Sequence, residues 1–243
     1  MQSVAPPSTD QPATVRRYMS FARFLWLLHN KALWLSRADL LGDPWELALA
    51  GDQLAHVLSR HPPTTLPLTD KRPESGMERA RRIIGLWRET TFVNCWSASD
   101  EESHALWRIY CPTAEGLAIE TTLEVLKASV APAAVYRITY GPVGSIRRTP
   151  ERSDLISRKR PMFAYENEVR IVCTADGQSA PRLPATSFGY QLPWDVEKHA
   201  TRLLVHPEAD QSFMDTMTAT VAQLAPALVP RIAWSDMREP PPT

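Results

Sequence analysis

Hydrophobic residues recur along the chain with helical and strand spacings in alternation. After Ser20, a residue type that caps helices, Phe21, Phe24 and Leu28 recur at intervals of three and four residues, which predicts a helix. The same spacing predicts further helices at 45–58, 74–88, 99–112, 123–130 and 210–224, and the polar and basic segment 151–160 is also predicted to be a helix. Short apolar or alternating runs predict strands at 32–36, 91–96, 116–120, 134–140, 167–174, 202–205 and 229–234. The alternation predicts a mixed α+β fold.

Proline-rich segments border this pattern at both ends. Residues 1–14 are rich in Pro, Ser, Thr and Ala, and residues 238–243 hold three prolines, so both are predicted to be disordered tails. The sequence between them shows neither an internal repeat nor a shift in composition strong enough to mark a boundary. A single α+β domain is therefore predicted over 15–237.

The composition of the chain argues against several classes of function. The chain has 27 basic and 27 acidic residues, and this zero net charge argues against a whole-surface electrostatic grip on nucleic acid. Only 9 of the 243 residues are glycine, too few to favour a glycine-fingerprint dinucleotide fold. The three cysteines predict no disulfide framework and therefore a reduced, cytoplasmic location. Neither a signal peptide nor an apolar run long enough to cross a membrane is predicted.

The segment 163–170 carries the strongest chemical pattern. Because side chains alternate along a strand, Glu166, Glu168 and Arg170 are predicted to share one face. A neighbouring like charge raises the pKa of a carboxyl group, whereas a neighbouring arginine lowers it. Either arrangement suits a group that binds a sugar hydroxyl or moves a proton. The same residues also fit a solvated strand face on which glutamate and arginine pair.

Two other polar segments could receive a ligand. Arg17 and Tyr18 lie just before the first predicted helix, where an arginine and a hydroxyl can bind a phosphate. Ser36 and Arg37 stand where a predicted strand ends, which is a common place for a binding site. Both segments also have a purely structural interpretation. The first fits a capped helix beside a solvated arginine, and the second fits an Arg37–Asp39 pair that staples the following loop.

Three aromatic residues could form a wall for a planar base or a nicotinamide ring: Trp96, Trp107 and Tyr110. Aromatic residues at helical spacing are also common in ordinary hydrophobic cores. The six histidines share no metal-ligand spacing, no Ser or Cys stands in a nucleophile motif, and no Gly-Lys-Ser/Thr phosphate loop is present. No metal site is therefore predicted.

Taken together, these segments resemble a bacterial family known as domain of unknown function twenty-nine seventy-one. The resemblance covers roughly residues 16–175 in a consistent order, and the family name implies no activity. The matching motifs are Arg17-Tyr18-Met19-Ser20, Trp34-x-Ser36-Arg37-Ala38-Asp39, Asp43-Pro44-x-Glu46, Phe92-Val93-x-Cys95-Trp96, Trp107-Arg108-x-Tyr110, Gly116-x-Ala118-Ile119, Val135-x-x-Ile138-x-Tyr140 and Lys159-Arg160-x-x-Phe163-x-x-Glu166-x-Glu168-x-Arg170.

The pattern is more distantly similar to that of the ADP-ribosyltransferase-like proteins. This resemblance implies two small sheets, with flanking helices, around a cleft that binds NAD as a substrate. Arg17 and Tyr18 would match the arginine and aromatic residue on the first core element, and Ser97, or alternatively Ser36, the hydroxyl on a middle strand. The pair Glu166-x-Glu168 resembles the family's Glu-x-Glu motif.

The resemblance also implies roles for these residues. Glu168 would be the catalytic carboxylate, Arg17 or Arg37 would hold the diphosphate, and Glu166 would orient or deprotonate the acceptor, which could be a protein, a nucleic acid or water. The chain lacks the family's Ser-Thr-Ser strand motif and has Cys95-Trp96-Ser97 in its place.

Three hypotheses follow. The first is an NAD-using transferase or glycohydrolase and, by analogy alone, an effector in bacterial conflict such as a toxin or a phage-defence protein. The second is a metal-dependent nuclease that uses Glu166, Glu168 and Arg170 together with Asp39 or Asp43. The third is a binding module without catalytic activity, whose cleft recognises a nucleotide or a partner protein.

Overall fold

The computed structural model describes residues 14–61, 75–142, 150–175 and 187–238. Its chain divides into two compact units. The first combines the segment that ends at Lys31 with Trp96–Ser129 and the segment that begins at Trp194, and the second combines Ala32–Cys95 with Val130–Pro193. The mixed α+β class is confirmed, whereas the single domain over 15–237 stays a prediction.

Strands and helices alternate along the described chain, as the hydrophobic pattern predicts. The strands are β1 (Thr14–Ser20), β2 (Ala32–Arg37), β3 (Thr91–Ala98), β4 (Gly116–Thr122), β5 (Ala134–Arg137), β6 (Thr139–Tyr140), β7 (Arg158–Lys159), β8 (Glu168–Thr174), β9 (Gly189–Pro193), β10 (Arg202–Val205) and β11 (Ile232–Trp234). The α-helices are α1 (Phe21–Asn30), α2 (Gly51–Arg60), α3 (Gly76–Glu89), α4 (His104–Tyr110), α5 (Leu123–Ser129), α6 (Arg152–Ile156), α7 (Val196–His199) and α8 (Gln211–Leu224). Short 3-10 helices span Ala38–Leu40, Pro161–Glu166, Pro226–Arg231 and Asp236–Arg238.

The first unit is built on β4, which is buried along most of its length. Strands β1 and β10 pair with it in antiparallel orientation, and β11 extends the sheet parallel to β10. The end of β3 pairs with the start of β1 through Val15 and Ala98. Leu117 and Ile119 on β4 are fully buried, as is Leu203 on β10. These apolar strands form the core of the first unit.

The second unit places the acidic segment inside its sheet. Strand β2 lies between β3 and β9, and β8 pairs with both β3 and β5. The short strands β6 and β7 form a separate parallel pair. Six of the seven residues of β8 are buried, so both of its faces are covered. Its apolar face carries Val169, Ile171 and Cys173, and its other face begins with Glu168 and Arg170, which are also buried.

The structure corrects several details of the predicted fold. Residues 91–95 of β3 belong to the second unit and residues 96–98 to the first, and the two small sheets around a cleft stay a prediction. The residues that precede the first helix form strand β1, which ends at Ser20. Helix α4 begins after Ser103, whereas the sequence predicts its start at Ser99. Thr14 starts β1 and Arg238 ends a 3-10 helix, while the rest of the predicted tails lies outside the described residues. No helix in the described ranges is long and apolar enough to cross a membrane.

Candidate functional site

The two glutamates of the acidic pair are brought together by a turn. The 3-10 helix Pro161–Glu166 ends at Asn167, whose φ of 42° lies in the left-handed region that asparagine tolerates better than most residues. The chain then enters β8 at Glu168. Glu166 is therefore not part of the strand, and the predicted alternation holds only for Glu168 and Arg170. The turn aims both carboxylates at a common partner.

That partner is Lys159 on β7. Its Nζ atom donates to Glu166 Oε2 at 2.5 Å and to Glu168 Oε2 at 3.1 Å. The ammonium also lies 4.6 Å from the centre of the Phe163 ring, within cation–π range. The side chain of Lys159 is 11% exposed, against 10% for Glu166 and 3% for Glu168. Lys159 and Glu166 are thus more accessible to solvent than Glu168.

Arg170 holds Glu168 from the inner side. Its Nε donates to Glu168 Oε1 at 2.7 Å and its Nη2 to Glu168 Oε2 at 3.2 Å. Its Nη1 and Nη2 atoms form a second fork and donate to Glu46 Oε2 at 2.7 Å and Oε1 at 2.6 Å. Nη1 also donates to the carbonyl of Ile156 at 2.9 Å. All five guanidinium N–H donors are engaged. Arg170 therefore has no donor left for a ligand and acts as a fixed cation behind Glu168.

Two further groups fix the start of β8. The backbone N–H of Glu168 donates to the hydroxyl oxygen of Tyr140 at 2.7 Å. The thiol of Cys95 donates to the Glu168 carboxylate, and burial, together with the charge of that carboxylate, raises the pKa of Cys95 well above its ordinary value. Burial also raises the pKa of Tyr140 to about 12, so both groups remain protonated at neutral pH. The Glu168 carboxylate is consequently held from several directions.

The five charged residues at this position form what we call the acidic cluster: Glu46, Glu166 and Glu168 with Lys159 and Arg170. With three carboxylates against two cations, full ionisation would leave one buried negative charge in excess. Such an excess favours one carboxyl group that accepts a proton more readily than the others.

The two glutamates of the motif differ in how easily they ionise. Burial alone would raise the pKa of Glu168, but the charge and hydrogen bonds of Arg170, with Lys159 and Cys95, outweigh it and lower this pKa to about 2. Burial raises the pKa of Glu166, and the negative charge of Glu168 raises it further. The hydrogen bond from Lys159 lowers this pKa, but the net shift is upward. Glu168 is thus held as a carboxylate, and Glu166 is the member of the pair that accepts a proton more readily.

The depressed pKa of Glu168 predicts a loss of stability in acid. Because this pKa is about 2 in the folded protein and 4.5 ordinarily, the carboxylate stabilises the fold above pH 4.5, and the contribution is lost as the pH falls towards 2. The free energy of unfolding, measured with urea, should therefore fall between pH 5 and pH 3 by about 2 kcal/mol more in the wild type than in Glu168→Gln. Equal losses in the two proteins would contradict the assignment.

An adjacent ion pair borders the cluster. Arg160 donates to both carboxylate oxygens of Asp43, at 2.8 and 3.3 Å, and its guanidinium lies 5.7 Å from the ring centre of Trp45 and 5.5 Å from that of Phe163. Asp43 is buried, whereas Trp45 is half exposed. This pair fastens the loop that carries Glu46 to the segment that carries Lys159.

Ser36 and Arg37 lie at the end of β2 in the second unit. Arg37 forms a two-pronged ion pair with Asp39, at 2.7 and 2.9 Å, and donates to the carbonyl of Ser187 at 3.3 Å. Its guanidinium also lies 5.7 Å from the centre of the Phe188 ring. The Arg37–Asp39 staple proposed from the sequence is present, so an anion that binds Arg37 has to compete with Asp39.

The remaining predicted ligand-binding residues belong to the first unit: Arg17, Tyr18, Trp96, Ser97, Trp107 and Tyr110. Tyr18 is buried, accepts a hydrogen bond from the Ser103 N–H at 3.0 Å and packs edge-on against Trp107 at 4.9 Å. The indole of Trp107 is 1% exposed and donates to Glu102 at 2.9 Å. These contacts favour the core interpretation of Tyr18 and Trp107.

The proposed aromatic wall is mostly buried in the same unit. Trp96 is 2% exposed and packs against Trp194 with ring centres 5.7 Å apart. Ser97 is also buried, whereas Arg17 is half buried and Tyr110 is 40% exposed. Of the three aromatic residues, only Tyr110 presents a large surface to a ligand.

Two members of the acidic cluster are not among the site residues predicted from the sequence. Lys159 belongs to the basic run that directly precedes the acidic pair, and it opens the motif that runs to Arg170; these are its signals in the sequence. Glu46 lies 124 residues before Arg170 along the chain, and its signals in the sequence are its place in a polar loop and in the motif Asp43-Pro44-x-Glu46. In the residues that the structure describes, no group of three or more His, Cys, Asp or Glu side chains is arranged to hold a metal ion.

Comparisons with known proteins are sparse. No family model matches the chain, and no curated protein matches it either. Among solved structures, Thermus sp. 2.9 DarT in complex with ADP-ribosylated ssDNA aligns with 96% of this chain and 97% of its own, at 13% identity and a TM-score of 0.41. A similarity at this level carries no argument about this chain.

Proposed function

We propose that this protein is an NAD-using ADP-ribosyltransferase-like enzyme, either a transferase or a glycohydrolase. The observation that supports the proposal is the Glu-x-Glu pair at the start of β8, in which Glu168 is held ionised by Arg170 and Lys159 while Glu166 has a raised pKa. Two carboxyl groups with opposite pKa shifts on one turn suit a reaction that needs a fixed negative charge and a proton acceptor.

The fixed charge of Glu168 matches the chemistry of cleaving NAD. When the bond between nicotinamide and ribose breaks, nicotinamide leaves with the bonding electron pair and the ribose becomes an oxocarbenium-like cation. A carboxylate that accepts a hydrogen bond from the ribose 2′-hydroxyl stabilises this positive charge. Because Glu168 is ionised before the reaction begins, no proton has to leave it first.

Glu166 is the proposed base. The attacking group, a water molecule or an acceptor hydroxyl or amine, gives up one proton as it bonds to the ribose carbon, and a carboxylate with a raised pKa is suited to accept it. Lys159 donates two hydrogen bonds to carboxylates. The longer one, 3.1 Å to Glu168, is the one that a ribose hydroxyl would replace, while the 2.5 Å bond to Glu166 remains.

The residues outside the Glu-x-Glu pair have proposed roles too. Arg170 is assigned a positioning role rather than contact with NAD, because its donors are all engaged. Within the second unit, Arg37 would bind the diphosphate, with Ser36 as the neighbouring hydroxyl. The roles that the sequence implies for Arg17, Ser97 and Tyr110 in the first unit stay predictions. A cytoplasmic effector in bacterial conflict is the corresponding biological proposal, and it depends on analogy alone.

The test is to incubate the purified protein with NAD and to quantify nicotinamide, with and without EDTA. We expect nicotinamide release that EDTA does not abolish, and equal release by Glu120→Gln, which alters a buried ion-paired carboxylate outside the cluster. NAD-dependent stabilisation without release would support the binding module instead. Magnesium-dependent cleavage of nucleic acid, lost with EDTA and without nicotinamide release, would support the nuclease.

A further inference from the structure

A second polar site in the second unit lies outside the acidic cluster. A cavity of about 350 Å³ is lined by residues of α2, α3 and the start of α6, among them His61, Trp87 and Arg152, and none of the residues of the acidic cluster lines it. This volume lies within the range of small-molecule binding pockets. The lining combines the Trp87 ring and the aliphatic side chains of Val57 and Pro150 with histidines and charged groups, so it suits a ligand that has both an apolar and a polar part.

The aromatic element is Trp87, which is partly exposed. The guanidinium of Arg152 lies 5.8 Å from its ring centre, and the ring of His61 meets it edge-on at 5.8 Å. Because Trp87 is only partly buried, a planar ring can stack on the indole in place of the guanidinium that lies over it. The site is thus shaped for a ligand with an aromatic part.

The charged elements favour an anion. Arg60 and Arg152 are the two permanent cations of the lining, and Glu151 is its single carboxylate. Arg60 and Glu151 are 3.7 Å apart and are 63% and 68% exposed, so their attraction is weak and an anion can compete for Arg60. Guanidinium groups bind phosphate oxygens through paired hydrogen bonds.

From this combination we infer that the cavity binds a free nucleotide, with its phosphate on Arg60 and Arg152 and its base on Trp87. A phosphorylated nucleoside is the ligand class that carries both a planar ring and a phosphate. The inference does not depend on the proposed NAD chemistry, since the cavity and the acidic cluster share no lining residue.

The test is calorimetric titration of the full chain with AMP, and with adenosine and inorganic phosphate as partial ligands. We expect saturable AMP binding, at least about tenfold weaker in Arg60→Gln, Arg152→Gln and Trp87→Leu. Arg81→Gln, which removes an exposed charge from α3 outside the cavity, should bind AMP as the wild type does. Glu168→Gln should also bind normally, which separates this inference from the proposed function.

Several outcomes would overturn the inference. Absence of AMP binding would reject it, as would phosphate binding as tight as AMP binding, because the base would then contribute nothing. Equal weakening by Arg81→Gln would show a diffuse charge effect rather than a site. Binding of a short single-stranded oligonucleotide without binding of AMP would reject the free nucleotide in favour of a nucleic-acid strand.

Discussion

Replacement of Arg170 with methionine is expected to lower the free energy of unfolding by about 3–5 kcal/mol. Arg170 is 1% exposed and donates to both Glu46 and Glu168, which are themselves buried. Without the guanidinium, Glu168 would retain Lys159 as its cation, and Glu46 would lose the two hydrogen bonds that Arg170 donates to its carboxylate. An uncompensated charge in the interior is costly because it has lost its hydration. Urea denaturation at pH 7 measures the loss.

The matched control for Arg170 is Arg108→Met. Arg108 forms an ion pair with Glu208 at 2.6 Å, similar in length to the Arg170–Glu46 contact, but both side chains are more than half exposed. Removal of this surface pair should cost no more than about 1 kcal/mol. Adding Glu46→Gln to Arg170→Met should recover part of the loss, since it removes the charge that has lost its hydrogen bonds from Arg170. Equal costs for the two arginine variants would contradict the account of the cluster.

Glu168→Gln is expected to lower the rate of nicotinamide release by about 10²- to 10³-fold, with little change in KM. The exchange keeps the shape of the side chain and removes the negative charge that would stabilise the oxocarbenium-like state. An interaction that operates mainly in the transition state lowers kcat rather than the affinity for the substrate. Steady-state kinetics over a range of NAD concentrations separates the two effects.

The companion variant for this experiment is Glu166→Gln. Loss of the proposed base should slow transfer to the acceptor while NAD still binds, and the effect should depend on pH in a way that the Glu168→Gln effect does not. Thermal unfolding of both variants is recorded in parallel, so that a loss of fold is not mistaken for a loss of chemistry. Similar rates for the wild type and Glu168→Gln would reject Glu168 as the catalytic carboxylate.

Much of the secondary structure follows from local sequence pattern. The strand at 202–205 and the helix at 210–224 match β10 and α8, because the strand is a short apolar run and the helix has apolar residues at helical spacing after an N-terminal Asp210 cap. The predicted 45–58 helix begins too early, since Trp45 and Glu46 belong to a turn that is fixed by contacts from Arg160 and Arg170. Tertiary contacts of this kind leave no periodic signal in the sequence.

The candidate site shows the same limit. The acidic pair can be identified from the sequence because Glu166, Glu168 and Arg170 are close along the chain. The sequence does not reveal that both faces of β8 are buried, nor that Glu46 completes the second fork of Arg170. Charge balance inside the protein depends on residues brought together by the fold, and single-sequence patterns describe only neighbours along the chain.

The different ionisation of the two glutamates is the central claim about the site. Carboxyl ¹³C NMR of protein labelled at glutamate, assigned with Glu166→Gln and Glu168→Gln, measures it directly. We expect the Glu168 signal to remain that of a carboxylate until the pH approaches 2, and the Glu166 signal to titrate above the ordinary value of 4.5. Two signals that titrate together near 4.5 would contradict this claim.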